Sequence, residues 1–517
     1  MPSQSSKFPA SARARSDEVL ATGLTDGEVR GRAARGGAVV VASQVARAAL
    51  QVLSTAALAR LVAPADFGLV AMAATLTVLF TMFSDLGLSQ ATVQRAEVTH
   101  GQLTTLFWIN VAVGAALTLL CVLAAPLVAW FYGEPRVVPV VQALGTGFML
   151  AGLSSQHGAL LNRRLRFVVV AAISIVATFA GSLIAVVFAW YGYGVWALVA
   201  QQLGFALATL LGNWWASGWM PGRPQLAPGS GTMLRFGGNL TLYNLLIFFV
   251  PNADRILIGW YIGKHDLGLY DRCSNLITLP VRLVIMPLSN VMVPALSRLQ
   301  DQPASYERFY LSTLEKIAMA TIAPTLLLAL LAPEVVAVLL GPDWSDATPI
   351  LAWLALAAVG RPVGQSISWL FVSQGRTNEQ LRMGVLVVLI TFAGYVAGLH
   401  YGAAGVAAGV AATHLGILPL TFWLATRRGP VRYRRCGEAI VPGLVGGAAL
   451  VAAVLALRAG GLTPEAPLAA AMTLTLAGGA ATLLTYLAMP RARYALLNVL
   501  HLLVKTPAAP AASSTRS

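Results

Sequence analysis

The stretch LTTLFWINVAVGAALTLLCVLAAPLVAWFY, residues 103–132, carries no charged side chain. An α-helix rises about 1.5 Å per residue, so about 20 apolar residues cross the roughly 30 Å hydrocarbon layer of a bilayer. This run therefore predicts a transmembrane helix. Similar runs recur from Gly36 to Pro490. They predict fourteen spans at approximately 36–61, 67–89, 103–132, 137–161, 167–190, 194–217, 235–263, 268–297, 311–340, 347–373, 383–399, 403–425, 438–457 and 467–489. Pro324 and Pro333 interrupt the ninth of these runs. The expected fold is an all-α integral membrane protein, with too little chain outside the bilayer for a separate soluble enzyme domain.

Composition agrees. Of the 517 residues 57% are hydrophobic and only 11% charged, with a mean hydropathy of +0.72. Soluble chains carry about 25% charged residues. A net charge of +15 would suit a nucleic-acid partner, but the surplus bases gather in short loops, where they set topology. No nucleic acid is expected. With the N-terminus inside, 26 Lys and Arg fall on the inner side and four, Arg60, Arg136, Lys264 and Arg458, on the outer. Both termini are therefore expected in the cytoplasm, with the spans in the cell (inner) membrane. Residues 1–35 read as a disordered tail without an apolar signal-peptide core, 218–234 as a linker and 490–517 as a second tail. Trp214, Trp215 and Trp219 read as interfacial anchors at the inner end of the sixth span.

Neither the three cysteines (Cys121, Cys273, Cys436) nor the six scattered histidines show metal-ligand or catalytic spacing, and no Walker-type phosphate loop is present. No cofactor or metal is expected.

Two turns echo each other: Ala65-Asp66-Phe67-Gly68-Leu69 and His265-Asp266-Leu267-Gly268-Leu269. Tyr191-Gly192 returns likewise as Tyr401-Gly402. Both offsets equal six spans. They predict two six-helix lobes, 36–217 and 235–425, with two further spans over 438–489. Parallel repeats of this kind mark transporters whose substrate site lies at the repeat interface.

Charges inside such spans cost at least about 2.5–3.5 kcal/mol each at the bilayer centre and need a partner or a wet cavity. Arg47, Arg282 and Arg361 lie near mid-span, where snorkelling is hardest. Gln44, Arg47, Gln51 and Ser54 share one helical face, as do Thr241, Asn244, Pro251 and Arg255, and again Arg361, Gln365 and Ser368. Gln44, Arg47, Gln51, Asn244, Arg255, Arg282, Arg361 and Gln365 are the candidate substrate-binding residues. Pro280, Pro287 and Pro362 beside these arginines favour kinked helices. Asp254, Arg255, Asp271 and Arg272 also read as ion pairs pinning the seventh span to the eighth. Asp85 reads as an interfacial charge or gate contact. Asp85, Asp254, Asp271 and Arg272 remain gate, ion-pair or coupling candidates, with proton or sodium as the coupling ion. Five arginines against three aspartates favour an anionic cargo.

The stretches Leu58-Ala59-Arg60-Leu61-Val62-Ala63-Pro64-Ala65-Asp66-Phe67-Gly68-Leu69 and Ser84-Asp85-Leu86-Gly87-Leu88 begin a further pattern. Gly194-Val195-Trp196-Ala197-Leu198, Ala253-Asp254-Arg255, Leu267-Gly268-Leu269-Tyr270-Asp271-Arg272 and Val293-Pro294-Ala295-Leu296-Ser297-Arg298-Leu299-Gln300 continue it. Over about 36–425 the chain thus resembles the polysaccharide transporter family of the multidrug/oligosaccharidyl-lipid/polysaccharide flippase superfamily, which includes O-antigen- and colanic-acid-type flippases. The resemblance implies a lipid-linked oligosaccharide on a polyprenyl diphosphate, moved from the cytoplasmic to the outer leaflet, with polymerase or export proteins as further partners. Cys273 departs from the small residue expected there.

Three rivals remain at this stage. A multidrug or cation antiporter would be expected to place acids at mid-membrane in the first lobe, where this chain has Arg47 and glutamines. A lipid II-type flippase shares the helix number and a basic cavity. A membrane glycan ligase or polymerase would need a sizeable outer loop, and here the outer loops are a handful of residues, for instance Gly341–Ala347.

Overall fold

On α4 (His100–Tyr132), Leu119, Leu123 and Leu127 are exposed while Leu117, Cys121 and Ala125 are buried. Both stripes repeat every four residues, so the helix is apolar on both faces and turns its bulkier side chains outward. That is a surface built for lipid rather than water. The computed structural model describes residues 26–85, 87–94, 98–224 and 252–496, with the side chains of 26–41, 94, 279–287 and 290 outside that description. Among the described residues there is no strand, and eleven helices are long and apolar enough to cross a membrane.

Contacts divide the chain into two compact units, residues 1–272 and 273–517. The first contains α1 (Asp26–Ala59), α2 (Pro64–Thr81), α3 (Leu88–Gln94), α4, α5 (Val137–Arg163), α6 (Phe167–Trp190), α7 (Val195–Ser217) and α8 (Ala253–Tyr261). It also takes the first turns of α9 (Lys264–Arg298). The principal helix pairs are α4 with α5, α6 with α7, α5 with α7, and α1 with α6. A capping box opens α4: Gln102 N–H donates to Thr99 Oγ1 at 3.2 Å, and Thr99 N–H donates to Gln102 Oε1 at 3.2 Å. Gly133, at φ +65°, closes it. Lipid gives apolar helices no hydrophobic reason to associate, so close packing must hold them. A Cβ added to Gly114 or Gly152 would lie 2.5 Å from a backbone carbonyl oxygen of the facing helix, Phe148 or Asn110.

The second unit continues α9 and adds α10 (Pro303–Leu330), a short α11 (Ala332–Val335) running into a π turn at Val336–Leu340, and α12 (Ala347–Ser373). It is completed by α13 (Thr377–Leu399), α14 (Gly402–Thr426), α15 (Tyr433–Ala459) and α16 (Pro467–Ala488). The last two spans pack into this unit. A Cβ on Gly443 of α15 would lie 2.7 Å from the Ala318 backbone of α10. Tyr486 of α16 donates to the Met319 carbonyl at 3.0 Å.

Several expected bounds need correction. The first helix begins at Asp26, inside the expected tail. The ninth span covers 303–330 rather than 311–340: Pro324 is carried inside the helix, while Pro333 starts the separate α11. The second span breaks. α2 stops at Thr81 and α3 starts at Leu88, with Gly87 at φ +67° between them. Ser84, Asp85 and Gly87 are turn residues, and here they outweigh the local apolarity.

Candidate functional site

The two echoing turns meet. A Cβ on Gly68 would lie 1.7 Å from the Lys264 carbonyl oxygen, and one on Gly268 would lie 2.0 Å from that of Pro64. The start of α9 therefore packs backbone to backbone on the start of α2, the contact that draws residues 264–272 into the first unit. Ion pairs surround it. Lys264 pairs with Glu134, and Arg136 pairs with Asp66 at 3.1 Å. The Arg272 guanidinium lies 4.7 Å above the Phe67 ring.

Asp254 and Arg255 of α8 and Asp271 and Arg272 of α9 form one network. Arg255 Nε donates to Asp271 Oδ1 at 2.9 Å, and Arg272 Nη2 donates to Asp271 Oδ2 at 2.9 Å. Tyr270 donates its hydroxyl to Asp254 Oδ2 at 2.8 Å. Arg255, Asp271 and Arg272 are ion-paired here, whereas Asp254 accepts from Tyr270 and from the Arg255 backbone N–H at 2.8 Å. Arg255, nominated with the substrate contacts, has its guanidinium committed to a carboxylate.

Arg47 and Arg361 differ. Among the described residues neither forms an ion pair with an acidic side chain. Arg47 is half-buried on α1, and its Nε is buried without a hydrogen-bond partner. Gln44 and Gln51 are exposed beside it, whereas Ser54 is buried and accepts from Gln201 Nε2 at 2.9 Å. Arg361 is half-buried at the middle of α12, one turn from the exposed Gln365. It stands close enough to His414 of α14 for their charges to interact, and the buried Nδ1 of His414 has no hydrogen-bond partner. The Arg282 side chain and all of Asn244 lie outside the described residues.

Asp85 sits in the break of the second span, surrounded by hydroxyls and an amide. Ser89 Oγ lies 2.6 Å from its Oδ1, Ser155 Oγ also contacts Oδ1, and Asn110 Nδ2 donates to it at 3.4 Å. Asn110 is the one amide in the run 103–132, the signal in the sequence that could have revealed this cluster. The tryptophans divide. Trp215 is 88% exposed, as an interfacial anchor should be, whereas Trp219 is 2% exposed. Trp219 packs against Phe107 and His157 and donates to His100 Nδ1 at 3.1 Å, fastening the chain after α7 to α4. Among the described residues no group of His, Cys, Asp and Glu could hold a metal ion.

A family model described as polysaccharide biosynthesis protein matches residues 57–349, more than half of the chain. The chain belongs to this family. Over 355 residues it is 25% identical to the lipopolysaccharide biosynthesis protein WzxC of Escherichia coli (strain K12), covering 68% of this chain and 72% of that one. It is 28% identical to the succinoglycan biosynthesis transport protein ExoT of Rhizobium meliloti (strain 1021), covering 61% and 64%. In structure it is similar to the lipid II flippase MurJ in an inward closed conformation, with TM-score 0.68, 14% identity and coverage of 88% and 98%. An inward-facing multidrug resistance MATE family transporter of the MOP superfamily follows at TM-score 0.51, 17% identity and coverage of 78% and 94%. These two likenesses show the fold, that of all-α membrane transporters. The named relatives are biosynthesis and transport proteins, and the chain is a transporter of the polysaccharide biosynthesis family rather than a catalyst. The family match contains Asp85, Asp254, Arg255, Asp271, Arg272 and Arg282. Gln44, Arg47, Gln51, Arg361 and Gln365 lie beyond it.

Proposed function

We propose that this protein flips a polyprenyl-diphosphate-linked oligosaccharide from the cytoplasmic to the outer leaflet of the cell membrane by alternating access, for assembly of a surface polysaccharide. One observation carries the reading: Arg47 and Arg361, mid-span in a member of this family, have no carboxylate partner among the described residues. A diphosphate stripped of water in hydrocarbon is prohibitively costly. Guanidinium groups replace that water with charge-assisted, bidentate hydrogen bonds, and Gln44, Gln51 and Gln365 offer further donors. The arginines therefore serve the headgroup, the lipid tail stays in the bilayer, and the saccharide follows the diphosphate. Both termini face the cytoplasm. Polymerase and export proteins receive the product on the far side.

Depletion of the protein followed by lipid analysis tests the reading. The expected result is a lipid-linked saccharide that accumulates on the cytoplasmic leaflet. Lipid II in its place would assign the chain to peptidoglycan synthesis, and unchanged lipid-linked pools would overturn the proposal.

A further inference from the structure

Three turns meet at one end of the first unit and line a cavity of about 310 Å³. They join α1 to α2, α4 to α5 and α6 to α7, and they fall on the outer side in the charge-based topology. That volume lies at the small end of the about 300–1,000 Å³ spanned by small-molecule sites, which combine apolar and aromatic walls with a few aimed polar groups. Here Tyr193 and Trp196 are the aromatic walls, and Asp66 and Arg136 are the polar groups.

The polar pair is only half used. Arg136 Nη2 donates to Asp66 Oδ1 at 3.1 Å, a single contact where a guanidinium and a carboxylate often make a bidentate one. Asp66 Oδ2 and the other guanidinium N–H groups of Arg136 have no hydrogen-bond partner among the described residues. The carboxylate is nonetheless fixed in place: its side chain is 16% exposed, and a Cβ on Gly194 would lie 2.8 Å from Oδ2. A Cβ on Gly192, at φ +78°, would meet nothing within 4 Å, so bare backbone leaves the cavity open on that side.

The aromatic rings are not needed to build the turn. The echoing turn of the second unit, Tyr401-Gly402-Ala403-Ala404-Gly405-Val406-Ala407, leads from α13 into α14 with no aromatic side chain beyond Tyr401 in that stretch. Interfacial anchoring is also supplied already, by Trp190 and Tyr191 at 77% and 75% exposure. Tyr193 and Trp196 instead face the cavity, with Tyr193 resting against Phe188 at 5.4 Å between ring centroids. That leaves a ligand as the partner of the two rings.

An anion would meet the unused oxygen of Asp66, and a cation the unused N–H groups of Arg136. The pair therefore suits a neutral group that both donates and accepts. A sugar ring fits both halves of the cavity. Its apolar C–H face stacks on an aromatic ring, while the hydroxyls on its rim donate to a carboxylate oxygen and accept from a guanidinium. We propose that this outer pocket binds a mono- or disaccharide, stacked on Tyr193 and Trp196, with one hydroxyl donating to Asp66 Oδ2 and a neighbouring one accepting from Arg136. In the transport cycle it takes the leading sugars of the carried glycan once they reach the outer side. That role rests on the flippase reading, whereas the sugar site itself does not.

The test is saturation-transfer difference NMR on the purified full-length protein in lipid nanodiscs, with glucose, galactose, mannose, maltose and lactose as probes and the signal of empty nanodiscs subtracted. The expected result is transfer to the ring C–H protons of at least one of them. Trp196→Ala and Asp66→Asn should each weaken that sugar's binding severalfold, and Trp196→Phe, which keeps a ring face, should retain most of it. Trp190→Ala, outside the cavity, should leave it unchanged. Should Asp66→Asn fail to fold, Arg136→Gln breaks the same pair from its 58% exposed side. No transfer to any probe overturns the proposal, as does transfer that Trp196→Ala and the pair variant leave intact or that Trp190→Ala weakens equally. None of these probes carries a lipid or a diphosphate, so failure here leaves the cargo reading standing. Unchanged lipid-linked pools on depletion would remove the transport role and leave the sugar site.

Discussion

A mid-membrane arginine is informative only through its partners, and the arginines whose side chains are described divide on that basis. Arg255 and Arg272 share Asp271, which is 8% exposed. Removing that carboxylate takes the shared ion-pair partner from two half-buried cations, and breaking a buried pair costs about 3–5 kcal/mol. Asp271→Asn should therefore lower the thermal unfolding temperature of the detergent-solubilised protein sharply, whatever its effect on transport. Arg47→Ala and Arg361→Ala should do the opposite: they remove charges without a carboxylate partner, so the protein should insert and melt normally while flipping falls at least tenfold. Arg361→Lys should recover only part of the activity, because an ammonium lacks the planar fork that grips a phosphate bidentately. Assay of lipid-linked saccharide in the outer leaflet checks all three, and normal flipping by both alanine variants would remove these residues from the substrate path. This division was half legible in the sequence. Spacing alone placed Asp254 and Arg255 near Asp271 and Arg272 and left pairing and cavity lining both open, because which side chain turns toward which is decided by packing.

Among the described residues hydrophobic run length located most of the long helices, since lipid demands a span of fixed length and tolerates no unpaired backbone; residues 235–251 of the expected seventh span lie outside the described residues. It failed where turn chemistry acts inside an apolar run. The segment Ser84-Asp85-Leu86-Gly87 is short and flanked by apolar residues, so a span of 67–89 reads as continuous, yet the helix stops at Thr81. Length likewise missed that Pro333 starts a new helix while Pro324 is absorbed. The repeat aligned two glycines, Gly68 and Gly268, that each meet a facing backbone carbonyl. Either glycine replaced by alanine puts a methyl group inside van der Waals contact with a carbonyl. Overpacking of this kind costs about 1–3 kcal/mol. Gly68→Ala and Gly268→Ala should each lower thermal stability and loosen the Lys264–Glu134 pair, read as increased exchange over residues 60–70 and 262–270. Unchanged exchange in both would mean that this contact forms only in some conformations of the protein.

At the scale of the whole molecule, the proposed sidedness rests on charge alone, on an excess of Lys and Arg in one set of loops. Cys121, Cys273 and Cys436 are all buried, so the native chain offers little for a membrane-impermeant thiol reagent to label. Single cysteines placed at exposed loop positions then report sidedness cleanly. Tyr191 and Tyr401 follow α6 and α13 and are 75% and 81% exposed, and Leu462 follows α15 at 70%. Arg434 begins α15 with its side chain 93% exposed. On intact cells an impermeant maleimide should label Tyr191→Cys, Tyr401→Cys and Leu462→Cys, and should reach Arg434→Cys only after lysis. The reverse pattern would put both termini outside and turn the proposed direction of transport around. Disagreement among the three outer positions would mean a different number of crossings between them, and the even count that brings both termini to one side would fall with it.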